Sequence, residues 1–114
     1  MSTVDESDLQ YVPILPASDL RSGERILFDV DDRPVAIFNV GGTIYAIEDA
    51  CSHDDGPLGD GEVSGAEVIC PRHGARFDLK SGKALTLPAV TPILVYPTRV
   101  VEGMIEIGLP RIKD

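Results

Sequence analysis

No stretch of this chain keeps a helical hydrophobic period for eleven residues without meeting glycine, proline or a pair of acids. That interruption leaves little room for helix and favours short strands joined by turns. Valine and isoleucine number 21 against 18 leucine and alanine, which leans the same way. Strand signals run over Arg25–Val30, Val35–Val40, Thr43–Glu48, Glu67–Cys70, Arg76–Leu79, Ile93–Val101 and Met104–Gly108. Turn signals separate them: Asp31-Asp32, Gly41-Gly42, Ser64-Gly65, Ser81-Gly82 and Glu102-Gly103. Two of these, Gly41-Gly42 and Glu102-Gly103, are two-residue hairpin signals. Ile105 and Ile107 are expected to face inward and Glu106 outward, the alternation of a half-buried strand. The one helix-like piece is Ala17–Gly23, where Ser18 is placed to cap a single turn. The pattern predicts an all-β domain, an antiparallel β-sandwich or small barrel.

With 114 residues the chain suits one domain, 1–114, and its 20 glycines and prolines punctuate the whole length without bunching into a linker. Its 19 acids and 10 basic residues leave a formal charge of −9. An acidic surface is repelled by nucleic acid and by anionic membranes, so neither is an expected partner. There is no signal-peptide pattern and no run of 18 apolar residues, and Met1–Gln10 reads as a polar, frayed terminus. The expectation is a cytoplasmic, soluble, monomeric domain whose partners are neutral or basic.

All the cysteine and histidine in the chain falls in two clusters, Cys51-Ser52-His53 and Cys70-Pro71-Arg72-His73, separated by sixteen residues. A single buried Cys is usually a small hydrophobe and a single His usually a surface group. Four such residues in two matched pairs, each set among turn-formers, instead suggest a metal centre held by two loops. Thiolate and imidazole are soft donors suited to zinc or to iron–sulfur irons. Zinc fingers group Cys with Cys and His with His, whereas here each loop holds one of each. The mixed pairing fits a two-iron cluster with both cysteines on one iron and both histidines on the other. A structural zinc module stays open at this point. Nucleophilic Cys–His catalysis is a poorer fit, because it needs one activated Cys and leaves the second pair unexplained.

Cys51-Ser52-His53 with Gly56-Pro57-Leu58, followed by Cys70-Pro71-Arg72-His73-Gly74 and Phe77-Asp78, closely resembles the paired motif of Rieske proteins, Cys-x-His and Cys-x-x-His. The resemblance covers most of the chain, from a strand near Val12 to the hairpin ending at Gly108. It implies an all-β Rieske fold in which a small cluster-binding subdomain, about 46–88, sits on a base of antiparallel sheet. It also implies one Rieske-type [2Fe–2S] cluster bound by Cys51, His53, Cys70 and His73, with Leu87-Pro88-Ala89 as the proline loop that covers it. In this reading Phe77 and Leu58 pack beneath the site, Gly56, Gly74 and Pro88 shape the loops, and Asp78 makes a structural hydrogen bond. Arg72 lies beside the cluster.

Respiratory members of that family carry an extra cysteine in each ligand loop and hydroxyls after the second His. The matching positions here are Gly56 and Arg72, and Ala75 and Phe77, so the bridge and those hydroxyls are missing. Hydrogen bonds to sulfur raise the potential of a cluster, so their loss predicts the low end of the Rieske range of roughly −150 to +300 mV. The resemblance therefore implies a bacterial ferredoxin that carries one electron from a flavin-dependent ferredoxin reductase to a terminal non-haem iron oxygenase, without catalysis of its own. The small subunit of an NADH-dependent nitrite reductase is the alternative within the family. Seven acids, Glu48, Asp49, Asp54, Asp55, Asp60, Glu62 and Glu67, bracket the first ligand pair. They form either a solvated loop or a collar that steers basic docking faces.

Overall fold

A computed structural model describes residues 9–30, 33–49, 58–71, 74–87 and 92–110. Ten strands appear among them: β1 (Leu9–Pro16), β2 (Arg25–Val30), β3 (Arg33–Val40), β4 (Thr43–Glu48), β5 (Glu62–Ser64), β6 (Glu67–Ile69), β7 (Arg76–Asp78), β8 (Val95–Tyr96), β9 (Thr98–Val101) and β10 (Met104–Pro110). They form three antiparallel sheets, ordered β1-β10-β9, β2-β3-β4-β8 and β5-β6-β7.

The run Val35-Ala36-Ile37-Phe38 explains how the sheets stack. All four residues are buried, although successive side chains on a strand point to opposite faces. The sheet that holds β3 must therefore be covered on both sides. Val35 and Ile37 join Ala46, Tyr96, Ile105, Ile107 and Leu109 in a core against β1-β10-β9. Ala36 and Phe38 join Ile47, Leu58, Val68, Cys70, Phe77 and Leu79 in a second core against β5-β6-β7. The four-stranded sheet is the central layer, and the second core is the one that contains Cys70. Ile105 and Ile107 are buried as the alternation requires, and Glu106 points outward to pair with Arg99 at 2.7 Å.

Both hairpin signals form two-residue turns. Val40 pairs with Thr43 and Val101 with Met104, and the turn residues Gly41, Gly42, Glu102 and Gly103 all adopt positive φ. Three expectations are corrected. Ile93–Val101 is not one strand: Pro97 cannot donate to a ladder, so β8 ends on β4 and β9 begins on β10. The helical piece shortens to a 3₁₀ turn, Ala17–Asp19, with Pro16 at its N-cap and no side-chain capping bond, so Ser18 does not serve as a cap. Leu9 and Gln10, assigned to the frayed terminus, pair with Pro110 and Leu109 in β1. A further strand, β5, precedes the Ser64-Gly65 turn, where the sequence offers only Val63 as an apolar signal. Among the described residues no helix is long and apolar enough to cross a membrane.

Candidate metal centre

Of the four proposed ligands, Cys70 lies within the described residues, while Cys51, His53 and His73 lie outside them. So do Gly56, Arg72, Pro88, Ala89, Asp54 and Asp55. Cys70 follows β6 directly and is 1% exposed. Its backbone N–H donates to the Ala75 carbonyl at 2.7 Å, and the Gly74 N–H donates to the Cys70 carbonyl at 3.0 Å. These bonds draw Gly74 and Ala75 back against Cys70, with Gly74 at φ 75°.

Cys70 packs in the same buried group as Leu58, Ala75 and Phe77. A nucleophilic cysteine needs access, and a wholly buried one has none. Burial suits instead a thiolate ligand to an iron shielded from water. Ala75 and Phe77 are fully buried and carry no hydroxyl toward that sulfur. Asp78 is structural, as expected: its carboxylate accepts from the Ser81 hydroxyl at 2.8 Å and the Lys80 N–H at 3.2 Å.

The residues that flank positions 50–57, Asp49 and Leu58–Gly61, are tied to one another and to the base. The Asp49 carboxylate accepts the Leu58 N–H at 2.7 Å and also the Gly59 N–H. The Gly61 N–H donates to the Leu58 carbonyl at 2.9 Å and closes a turn over 58–61. Nη1 of Arg25, on β2, donates to the Gly59 carbonyl at 2.6 Å and to the Gly61 carbonyl. Its guanidinium lies 5.2 Å from the Phe38 ring centroid, an arrangement that helps hold it in place. Space is short at both turn positions: backbone bars a side chain at Gly61, and at Gly59 the Leu27 side chain would have to move. A Cβ on Gly61 would lie 2.0 Å from the Ile69 carbonyl oxygen, and one on Gly59 would lie 2.4 Å from Leu27 Cδ2.

The segment before and after Pro88 is anchored in the same manner. On its near side the Leu85 N–H donates to the Arg76 carbonyl, and the Thr86 hydroxyl accepts the Arg76 N–H. On its far side Ile93 donates to the Gly82 carbonyl, and Leu94 donates to the Glu48 carboxylate at 2.7 Å.

The acidic run divides once the structure is in view. Glu48 and Asp49 spend their carboxylates on backbone amides, and Glu67 faces Arg76 at 3.3 Å. Asp60 and Glu62 are exposed. Arg25 has no site role in the sequence reading, and Glu48 and Asp49 enter it only as members of the acidic run. Arg25 looks like any base-strand charge, and the two acids are absorbed into a run of like residues. The Gly59-Asp60-Gly61 spacing was the available signal, because alternating glycines mark a backbone that must approach something closely.

Buried Cys70, set in an apolar core between antiparallel sheets of a nearly all-β fold, and the paired Cys–His motif of the sequence are the features of an iron–sulfur protein of mixed ligation. The chain belongs to the Rieske [2Fe–2S] domain family, whose profile matches residues 10–97, and its cofactor is a Rieske-type [2Fe–2S] cluster. It is 46% identical over 96 residues to the 3-phenylpropionate/cinnamic acid dioxygenase ferredoxin subunit of Escherichia coli (strain K12), covering 83% of this chain and 90% of that relative. Its fold is similar to the ferredoxin of carbazole 1,9a-dioxygenase from Nocardioides aromaticivorans IC177, with a TM-score of 0.81, 32% identity, and coverage of 89% of this chain and 98% of that one. A chain in the complex of reduced oxygenase and oxidized ferredoxin of carbazole 1,9a-dioxygenase also matches, with a TM-score of 0.81, 28% identity, and coverage of 90% and 97%. Family membership decides the choice left open by the ligand types, and the zinc module is set aside.

Proposed function

We propose that the chain is the ferredoxin component of a ring-hydroxylating dioxygenase system, taking one electron from a flavin-dependent reductase and delivering it to a terminal oxygenase. The observation that carries this reading is coverage: the chain matches stand-alone dioxygenase ferredoxins over nearly their whole length, with no second domain in the match. The carbazole complex supports the oxygenase as partner, because ferredoxin and oxygenase associate there. The reductase, the monomeric state and the cytoplasmic location belong to the same proposal. No observation favours the nitrite reductase subunit.

In this reading Cys51 and Cys70 hold one iron and His53 and His73 the other, within a cluster-binding subdomain of about 46–88 in a single domain, 1–114. The burial of Cys70 and the mixed donor set fit that group. When bound, it supplies one-electron chemistry at a fixed site. The protein contributes position and surroundings. The Cys70 side chain is buried, and Phe77, Leu58 and Ala75 keep water from it. With no hydroxyl at Ala75 or Phe77, the sulfurs lack two bonds that would favour the reduced state.

Iron and sulfide analysis of the purified chain, with electron paramagnetic resonance of the reduced form, tests the assignment. Two irons per chain and a rhombic spectrum are expected, both lost in Cys51→Ala, His53→Ala, Cys70→Ala and His73→Ala. A midpoint potential above about +100 mV, high in the Rieske span, would overturn the low-potential reading. Failure of the reduced protein to reoxidise with any ring-hydroxylating oxygenase would count against the ferredoxin role.

A further inference from the structure

The turn Leu58-Gly59-Asp60-Gly61 is held from two strands of the central sheet at once. Asp49, just past the end of β4, accepts two of its amides, and Arg25, at the start of β2, donates to two of its carbonyls. With the Gly61 to Leu58 bond, five hydrogen bonds fasten four residues. Gly59 lies so close to the sheet that an added Cβ would meet Leu27, Ala36 and the Asp49 carboxylate. Leu58, Gly59 and Gly61 are buried, so these bonds also satisfy backbone groups shut away from water. The turn is also where the chain returns from segment 50–57, which contains Cys51 and His53. Asp49 ties that segment's entry to its exit, and Arg25 fixes the exit against the base. Leu58, inside the grip, shares the buried group with Cys70. The turn that follows segment 50–57 in sequence thus shares a core with Cys70.

We propose that Arg25 and Asp49 are positioning residues for the cluster: their grip on the 58–61 turn sets where the first Cys–His pair stands relative to Cys70. The proposal rests on the assignment of Cys51 and His53 as ligands. Groups that orient ligands govern metal retention and redox tuning, and their loss costs roughly 10–100-fold in metal affinity.

The test uses the intact holoprotein with four variants. Asp49→Asn keeps an oxygen acceptor for the two amides, and Asp49→Ala removes it. Arg25→Lys keeps a cationic donor, and Arg25→Met removes it while keeping bulk. The Ala and Met variants are expected to show altered g values in the reduced state, a shifted midpoint potential and roughly tenfold or faster release of iron to a chelator. Asn and Lys are expected to restore all three toward wild type. Full iron content with unchanged g values, potential and release rate in Arg25→Met and Asp49→Ala would overturn the proposal, even if their melting temperatures fell. Should Asp49→Ala fail to fold, the Arg25 pair decides alone. A wild-type chain that binds no iron would defeat the ligand assignment itself, a result separate from an unaltered cluster in the variants.

Discussion

At the residue scale, single side chains in this protein act by what their surroundings leave them to do. Cys70 is closed in by Leu58, Ala75 and Phe77, a setting that denies it the access a nucleophile needs. Tyr96 sits in the opposite core, where burial pushes its phenol above its ordinary value of about 10. The nearby Glu48 charge adds to that rise, and Arg33 opposes it by its charge and a hydrogen bond. A raised folded value means that the unfolded chain releases the proton first. The contribution of Tyr96 to stability is thus complete below about pH 10 and is lost as pH rises through the folded value. Thermal unfolding of wild type and Tyr96→Phe across alkaline pH measures this. The difference between them should stay constant below about pH 9 and shift in favour of Phe above about pH 10. A constant difference throughout would refute the assignment.

At the scale of elements, local chemistry and tertiary placement separate cleanly. The hairpins at Gly41-Gly42 and Glu102-Gly103 were legible because two-residue turns demand positive φ, and glycine signals it. Glu102 meets that demand at φ 51° without being glycine. Left-handed backbone costs such a residue of order 1 kcal/mol, and asparagine tolerates it better. Glu102→Asn should therefore raise the melting temperature by roughly 4–8 °C per kcal/mol regained, read by calorimetry. A fall would mean that the Glu102 side chain stabilises the turn in some other way. The split of Ile93–Val101 was less legible. Its apolar run continues through Pro97, but the two halves pair with different sheets, and only the assembled layers show why the chain crosses there. β5 was missed for a related reason: three residues with one apolar side chain form a strand only because β6 lies beside them.

For the whole molecule, a charge of −9 governs encounters more than folding. Part of the acidic run serves the fold, since Glu48, Asp49 and Glu67 already have partners within the chain. Asp60 and Glu62 remain exposed on the side of the molecule that carries the β5-β6-β7 sheet. If the acidic surface steers a basic docking face, electron transfer to the native oxygenase should slow several-fold between low and physiological ionic strength, as a Debye length of about 8 Å shields the charges. Stopped-flow rates indifferent to salt would leave the charge as a solubility feature.

The sequence by itself determined the all-β class, the hairpins, and the four-residue Cys–His constellation with the family it resembles. Each depends on residue type and spacing along the chain, which need no neighbour from elsewhere. Only the tertiary structure decided that the β2-β3-β4-β8 sheet is a central layer buried on both faces, and that Arg25 and Asp49 converge on one turn. Arg25 lies 34 residues from Gly59, and β2 and β4 flank β3 in the sheet. The hydrogen-bonding reach of a guanidinium or a carboxylate is a few ångströms, so its partner is set by sheet order, which no local pattern encodes.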